Sequence, residues 1–205
     1  MIEKTKNLKF FIFFKIIFFL LCFSFDSYAN NINKKPIVLG SDNAPVKIKI
    51  FSSFTCPHCA DFHMNIIPKI NKKYIKTEKV QLIFIDFPLD QASFNASKLL
   101  HCVKENDQIS FMDKIYEKQS GWASGTTIEE INKNLKEIVK GLNIDSKKFD
   151  KCLIDENISD KILEGRVDAH KKYSISSTPT IIINEKKLKG SNSFENIEKK
   201  IKKLI

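Results

Sequence analysis

Cys56-Pro57-His58-Cys59 is the segment of this 205-residue chain best suited to chemistry. Two cysteines with two residues between them fall on adjacent positions of a helix's first turn, within disulfide reach. Such a dithiol opens and closes by thiol–disulfide exchange. The thiolate is the reacting form, so whatever stabilises it sets both rate and redox poise. Phe51 to Thr55 reads as the end of a strand, and residues 60–74 read as a helix with apolar positions at 60, 63/64, 67, 70 and 74. Pro57 suits the first helical position, where its missing N–H costs nothing. Cys56 is then expected at the helix N-terminus, where unpaired amides and the positive end of the dipole favour a thiolate. His58 adds a donor, and a positive charge when protonated. Pro57 and His58 are therefore the expected thiolate-tuning residues.

A CxxC pair is also half of many zinc sites. A tetrahedral site needs two further ligands at suitable spacing. There is no second CxxC, and His63 beside Cys59 on one helix still leaves the set incomplete. The reading therefore needs no metal and no organic cofactor. His63, His101 and His170 lack a comparable context and read as surface or core-edge histidines.

The elements around the dithiol follow from the rest of the chain. Residues 1–29 resemble an export signal: Lys4, Lys6, Lys9 and Lys15 precede an uncharged apolar run from Ile16 to Phe25, and Ser27-Tyr28-Ala29 offers small residues for cleavage. Ten residues are too few for a comfortable membrane span, which takes about 20. Cys22 follows Leu21, where a lipoprotein signal would carry a small residue. Removing this segment leaves four cysteines, 56, 59, 102 and 152. Disulfides persist in oxidising compartments, and an even count permits one redox pair and one structural bridge. Cys102 and Cys152 each lie on an apolar helical face, beside Leu99 and Val103 and beside Phe149 and Leu153. They are expected to bridge; two free buried thiols are the alternative. The formal charge is +10, but the lysines are scattered along helices without an aromatic-interleaved patch, so no nucleic acid is expected.

Short strands are expected at residues 37–40, 46–52 and 80–86, the last nearly all apolar and so inside a sheet. Pro68 should kink the helix between the second and third strands. A strand, helix and parallel strand form a right-handed unit. From about residue 91 to 173 the pattern is helical. Ile128, Ile131, Leu135, Ile138, Val139 and Leu142 make an amphipathic stripe behind a Thr127–Glu130 capping box. Gly141 is expected to loosen that helix's end. Residues 180–183 read as a strand, 184–186 as a turn, 187–189 as its partner, and a last helix starts at a Ser193 cap.

This order resembles a thioredoxin fold, an α/β fold, with an inserted helical domain. The Cys56-Pro57-His58-Cys59 tetrapeptide, Phe87-Pro88-Leu89 and the downstream Thr178-Pro179 are similar to those of the DsbA-like thiol:disulfide oxidoreductases. The resemblance covers nearly all of residues 30–205, with thioredoxin-like parts at 36–89 and 174–205 and the insertion at 90–173. It implies that Thr178-Pro179 is a cis-proline loop that binds substrate backbone opposite the dithiol. It also fits a second bridge inside the insertion, which some members carry. One departure stands out. Many thioredoxin-fold enzymes keep an acidic residue in the strand beneath the dithiol, and residues 47–54 contain none.

The resemblance implies an exported, periplasmic enzyme that donates its disulfide to reduced secreted proteins. Cys56 would be the exposed reactive cysteine and Cys59 its buried partner. A membrane-bound partner would reoxidise the dithiol. Only about six residues separate the expected cleavage site from the first strand, so a monomer is expected rather than a multimeric isomerase. A disulfide isomerase or reductase on the same fold is the alternative. From a different class, a non-catalytic holdase or metal-delivery protein would use the two sulfurs as ligands.

Overall fold

Alternation in the strands sets the architecture. In the computed structural model, which describes residues 36–205, β2 (Val46–Ser52) buries Val46, Ile48 and Ile50 on one face of a sheet and Phe51 on the other. β3 (Val80–Asp86) lies parallel to β2, with Val46 opposite Val80 and Ser52 opposite Asp86. β1 (Ile37–Leu39) runs antiparallel along β3. β4 (Thr180–Ile183) runs antiparallel along the other side of β2, and β5 (Lys186–Lys187) closes the edge. The order is β1-β3-β2-β4-β5, so the apolar β3 is interior and β2 is the middle strand. The expected export signal at residues 1–29 lies outside the described residues.

α1 connects β2 to β3 as four consecutive helical segments, Pro57–Asp61, Phe62–Ile66, Ile67–Ile70 and Asn71–Ile75. The second and fourth are π-type, with the Ile67 amide reaching back five residues to the Phe62 carbonyl. The cause of the first is Pro68: it has no N–H, and its ring would press on the carbonyl of Met64 in a regular helix. The wider turn also changes which side chains face inward. Cys59, Phe62, His63, Ile67, Ile70 and Tyr74 are buried, whereas Ala60 is half-buried and Met64 is 40% exposed. The expected apolar face thus holds at 63, 67, 70 and 74 and is only partly covered at 60, and His63 lies deeper than the surface or core-edge place expected of it.

The helical block between β3 and β4 comprises α2 (Gln91–Cys102), α3 (Gln108–Glu117), α4 (Gln119–Trp122), α5 (Ile128–Lys140), α6 (Ser146–Leu153) and α7 (Glu156–Tyr173). α8 (Phe194–Ile201) follows β5. Asp90, Thr127, Asp145, Asp155 and Ser193 each accept a backbone amide at the start of a helix. Such a cap contributes about 1 kcal/mol. The Thr127 box is displaced by one residue: Glu130 bonds back to the amide of Thr126, not of Thr127. α5 ends without help from left-handed backbone at Gly141, whose φ is −69°; the reversal comes at Asn143, with φ 60°.

Leu99, Leu100, Phe111, Ile115, Trp122, Leu135 and Val139 pack the block's helices together and onto the Val46–Ile48–Ile50 face of the sheet. Trp122 is fully buried and its indole N–H donates to the Ile115 carbonyl at 2.9 Å. α7 covers the opposite face, where Ala169 and Tyr173 meet Phe51, Phe87, Ile175 and Ile182. The β4–β5 hairpin is tighter than expected. Ile183 pairs with Lys186 across a two-residue turn, Asn184 and Glu185, both with positive φ. That is the primed turn whose twist matches the strands. Asn184 holds it by accepting the Lys47 amide at 2.8 Å and donating to the Pro45 carbonyl at 3.2 Å.

Candidate active site

β2 ends at Ser52, and three residues carry the chain to Cys56, the N-cap of α1 with φ −79° and ψ 117°. Those three are pinned to the start of α2. The Ser53 hydroxyl and the Phe54 amide both donate to Ser93 Oγ at 2.8 Å, and the Thr55 hydroxyl donates to Asp90 Oδ2 at 2.6 Å. Asp90 caps α2 with its other oxygen, accepting the Ser93 amide at 2.7 Å. From the far side Gln119 donates its side-chain amide to the carbonyls of Phe54 at 2.8 Å and Cys56 at 3.0 Å. The dithiol's entry loop is thereby held by two helices of the inserted block.

Pro57 takes the first helical position, and the amides of Cys59 and Ala60 close on the Cys56 carbonyl at 3.0 and 3.2 Å. Both sulfurs are thiols. Cys56 is not the exposed cysteine the sequence suggested: it is only 9% exposed, because the loop before β4 crosses over it. Its Sγ donates to the Thr178 carbonyl at 3.4 Å. Thr178–Pro179 is a cis peptide, and the Pro179 carbonyl accepts from Asn192 at 2.8 Å. Cys59 is deeper, at 1% exposure. The structure therefore brings Cys56, Pro57, Cys59, Thr178 and Pro179 into one place. His58 stands in solvent at the rim. Cys102 and Cys152 form a disulfide that ties the end of α2 to α6, within the helical block.

The two thiols differ electrically as well as in depth. Burial pushes the Cys59 thiol up to about 12 from an ordinary 9.0, against weaker opposing help from the Thr178 side chain and the Ser53 backbone. The Thr178 hydroxyl is itself buried with no partner inside ordinary hydrogen-bond limits, leaving it available to a sulfur. Beneath the dithiol, burial also pushes the Tyr116 phenol well above its usual value, while a hydrogen bond to Ser52 partly offsets this. The Tyr116 ring lies 4.7 Å from that of His63, which bonds to Asp113 at 2.7 Å. β2 carries no acid; Asp86 of β3, in register with Ser52, is bonded to His101 at 2.7 Å.

Several of these residues escaped the sequence reading. Asp90 with Ser93 three residues on is a cap signal before an apolar run, and it was there to be found. Gln119 and Tyr116 carry no local signature; only the tertiary packing brings them to the dithiol, as it sets the His101–Asp86 pair at the end of β3.

The comparisons agree with this geometry. A family profile described as Thioredoxin matches residues 32–203. A Bacillus anthracis protein named "Probable disulfide bond formation protein D" is 31% identical over 170 residues, covering 80% of this chain and 76% of its own length. The crystal structure of Wolbachia pipientis alpha-DsbA1 is 31% identical, with a TM-score of 0.75 over 83% of this chain and 90% of that one. Oxidised BdbD from Bacillus subtilis is 26% identical, with a TM-score of 0.71 over 82% and 91%. The chain spans 58% of the length of a Rickettsia bellii relative, to which it is 27% identical over 154 residues. With the fold matched over residues 32–203 and the dithiol in place, the chain belongs to the thioredoxin superfamily, among its DsbA-like disulfide oxidoreductases.

Proposed function

We propose that this protein is an exported oxidase of thiols, which passes the Cys56–Cys59 disulfide to reduced secreted proteins. The observation that carries the reading is the asymmetry of the two sulfurs. Cys56 sits at the helix N-terminus against the Thr178 carbonyl, while Cys59 is buried and holds its proton.

In the oxidised protein a substrate thiolate attacks Cys56 Sγ. The Cys56–Cys59 bond breaks, a substrate–Cys56 bond forms, and Cys59 leaves and takes a proton. The substrate's second thiolate then attacks the substrate sulfur of this mixed disulfide and expels Cys56. Two substrate thiols have lost two electrons and two protons, and the enzyme's disulfide has become a dithiol. The burial of Cys59 matters at the intermediate. Its return attack on the mixed disulfide needs a thiolate, and burial holds the Cys59 thiol in its neutral form near neutrality. The substrate's own second thiol therefore wins the partition, which favours net oxidation over release. Peptide backbone can pair along Thr178 as an added strand, tolerant of side-chain identity.

Export is supported by the signal-like residues 1–29 and by the Cys102–Cys152 bridge, since structural disulfides belong to oxidising compartments. Reoxidation then falls to a membrane-bound partner, and the protein acts as a monomer. The test uses the oxidised protein and one two-cysteine protein substrate, supplied either fully reduced or scrambled. Rapid oxidation of the reduced form with poor repair of the scrambled form is expected. Efficient repair with slow oxidation would make it an isomerase.

A further inference from the structure

Beside the cis-proline loop lies a groove of about 620 Å³. Its apolar lining is Phe87, Leu89, Leu163, Val167 and Ile175. Leu89, Leu163 and Val167 are 47%, 45% and 48% exposed, and large apolar side chains this open are few among the described residues. Three of them meeting in one groove marks a binding surface rather than scatter.

The polar side chains of the groove are one-sided in charge. Arg166, His170 and Lys171 line it, and no carboxylate does. Arg166 is the sole arginine in a chain whose other 33 basic residues are lysines. It stacks on the Phe87 ring, 5.2 Å from guanidinium carbon to ring centroid. No acidic side chain pairs with it among the described residues. A planar fork held flat on an aromatic ring and left unpaired is suited to a carboxylate from outside. The chain's own carboxylates lie next to the groove and not in it: an adjoining smaller depression shares Leu163, Val167 and Lys171 and adds Asp160, Glu164 and Asp168.

The groove adjoins the loop that crosses the dithiol. Ser176 lines it, and two residues further on Thr178 accepts the Cys56 thiol. Two residues of chain reach at most about 7 Å. His170 fixes the start of that loop by donating to the Ile175 carbonyl at 3.0 Å. Phe87, on the opposite wall, is tied to the strand that leads into the dithiol, its amide donating to the Ser52 carbonyl at 2.8 Å.

We infer that this groove binds the stretch of substrate polypeptide flanking the attacking cysteine, and selects stretches that carry an aliphatic side chain next to an aspartate or glutamate. The aliphatic group enters between Leu163, Val167 and Phe87, and the acid pairs with Arg166. This rests on the exchange reading of the dithiol and adds a sequence preference to it.

The experiment uses the full chain, oxidised, with reduced two-cysteine peptides. Three peptides differ only beside the first cysteine: Leu-Glu, Leu-Lys and Gly-Ser. Transfer of the disulfide is followed for the parent, Arg166→Gln, Arg166→Lys and Val167→Ser. Dithiothreitol, which has no flanking chain, reports the dithiol alone. The Leu-Glu peptide should react faster than Leu-Lys by about three- to fivefold, the worth of one exposed ion pair. Arg166→Gln should erase that ratio, Arg166→Lys should keep part of it, and Val167→Ser should lower both Leu peptides towards Gly-Ser. Dithiothreitol rates should be unchanged in every variant. Failure with dithiothreitol in the parent would sink the exchange reading itself. Equal rates for the three peptides, with normal dithiothreitol exchange, would overturn the groove assignment alone. So would a dimer that Val167→Ser dissolves, which gives the groove to a second copy. So would variants that alter only reoxidation by membrane vesicles, which gives it to the reoxidising partner.

Discussion

Burial of Cys59 has a consequence that can be measured without any substrate. Replace Cys56 by serine, so that Cys59 is the sole free thiol of the described residues, and follow its alkylation by iodoacetamide as pH is raised. An ordinary thiol at 9.0 is about 1% ionised at pH 7; at about 12 the fraction is roughly 0.001%. The thousandfold gap corresponds to about 4 kcal/mol of preference for the neutral thiol. Serine also removes the small contribution of the Cys56 sulfur, but desolvation is the largest cause and stays. Poor access lowers every rate equally, so the informative quantity is the slope. The logarithm of the rate should climb by one per pH unit from about 7 to about 10.5, straight through 9, where a free thiol levels off. Circular dichroism over the same range verifies that the fold persists. A bend near pH 9 in folded protein would refute the link between burial at Cys59 and its held proton, and with it the partition argument for net oxidation.

Other parts of the structure make their own demands. Gln119→Ala removes two hydrogen bonds to the loop before Cys56, worth about 0.5–1.5 kcal/mol each, so peptide exchange should slow while the melting temperature falls only modestly; Gln119→Glu, which cannot donate, should behave alike. The Cys102→Ala/Cys152→Ala double variant opens a 50-residue loop and should lose up to about 4 kcal/mol in a denaturant titration, with Cys56–Cys59 exchange intact. Glu185 is held at about 2 by hydrogen bonds from Lys172, Lys49 and Tyr173. Its carboxylate thus stabilises the fold above pH 4.5 and loses that effect as pH falls towards about 2. Urea midpoints of the parent and Glu185→Gln should differ by a constant amount above 4.5 and converge below it. A gap that widens in acid would contradict the assignment.

Much of the framework could be read in advance because one force dominated locally. β3 and β4 are nearly continuous apolar stretches inside a covered sheet, β2 alternates apolar and polar residues, and the bounds of all three at 46–52, 80–86 and 180–183 match. The starts of α5, α6 and α8 announce themselves through Thr127, Asp145 and Ser193. Elsewhere two forces competed. At Pro68 the missing amide outweighed the regular helical turn, and the resulting π-type segment turned His63 inward and Met64 outward. At the hairpin, Asn184 and Glu185 adopt positive φ without glycine, because strand pairing on both sides fixes a two-residue turn. The depth of Cys56 depends on a loop more than a hundred residues away in sequence. Gln119 reaches the site only because α4 packs against the entry loop, a fact of tertiary geometry with no trace in local pattern.

The central claim is that Cys56 and Cys59 trade a disulfide with protein thiols, with Cys56 receiving the attack. Mixing oxidised full chain with a reduced two-cysteine peptide, quenching with acid and mapping by mass spectrometry tests this most directly. One peptide disulfide should form per protein molecule, Cys56 and Cys59 should become alkylatable, and Cys102–Cys152 should stay closed. With Cys59→Ala, a peptide carrying an activated thiol should be trapped on Cys56. No transfer, or a peptide adduct on Cys59, Cys102 or Cys152 in place of Cys56, would contradict the account.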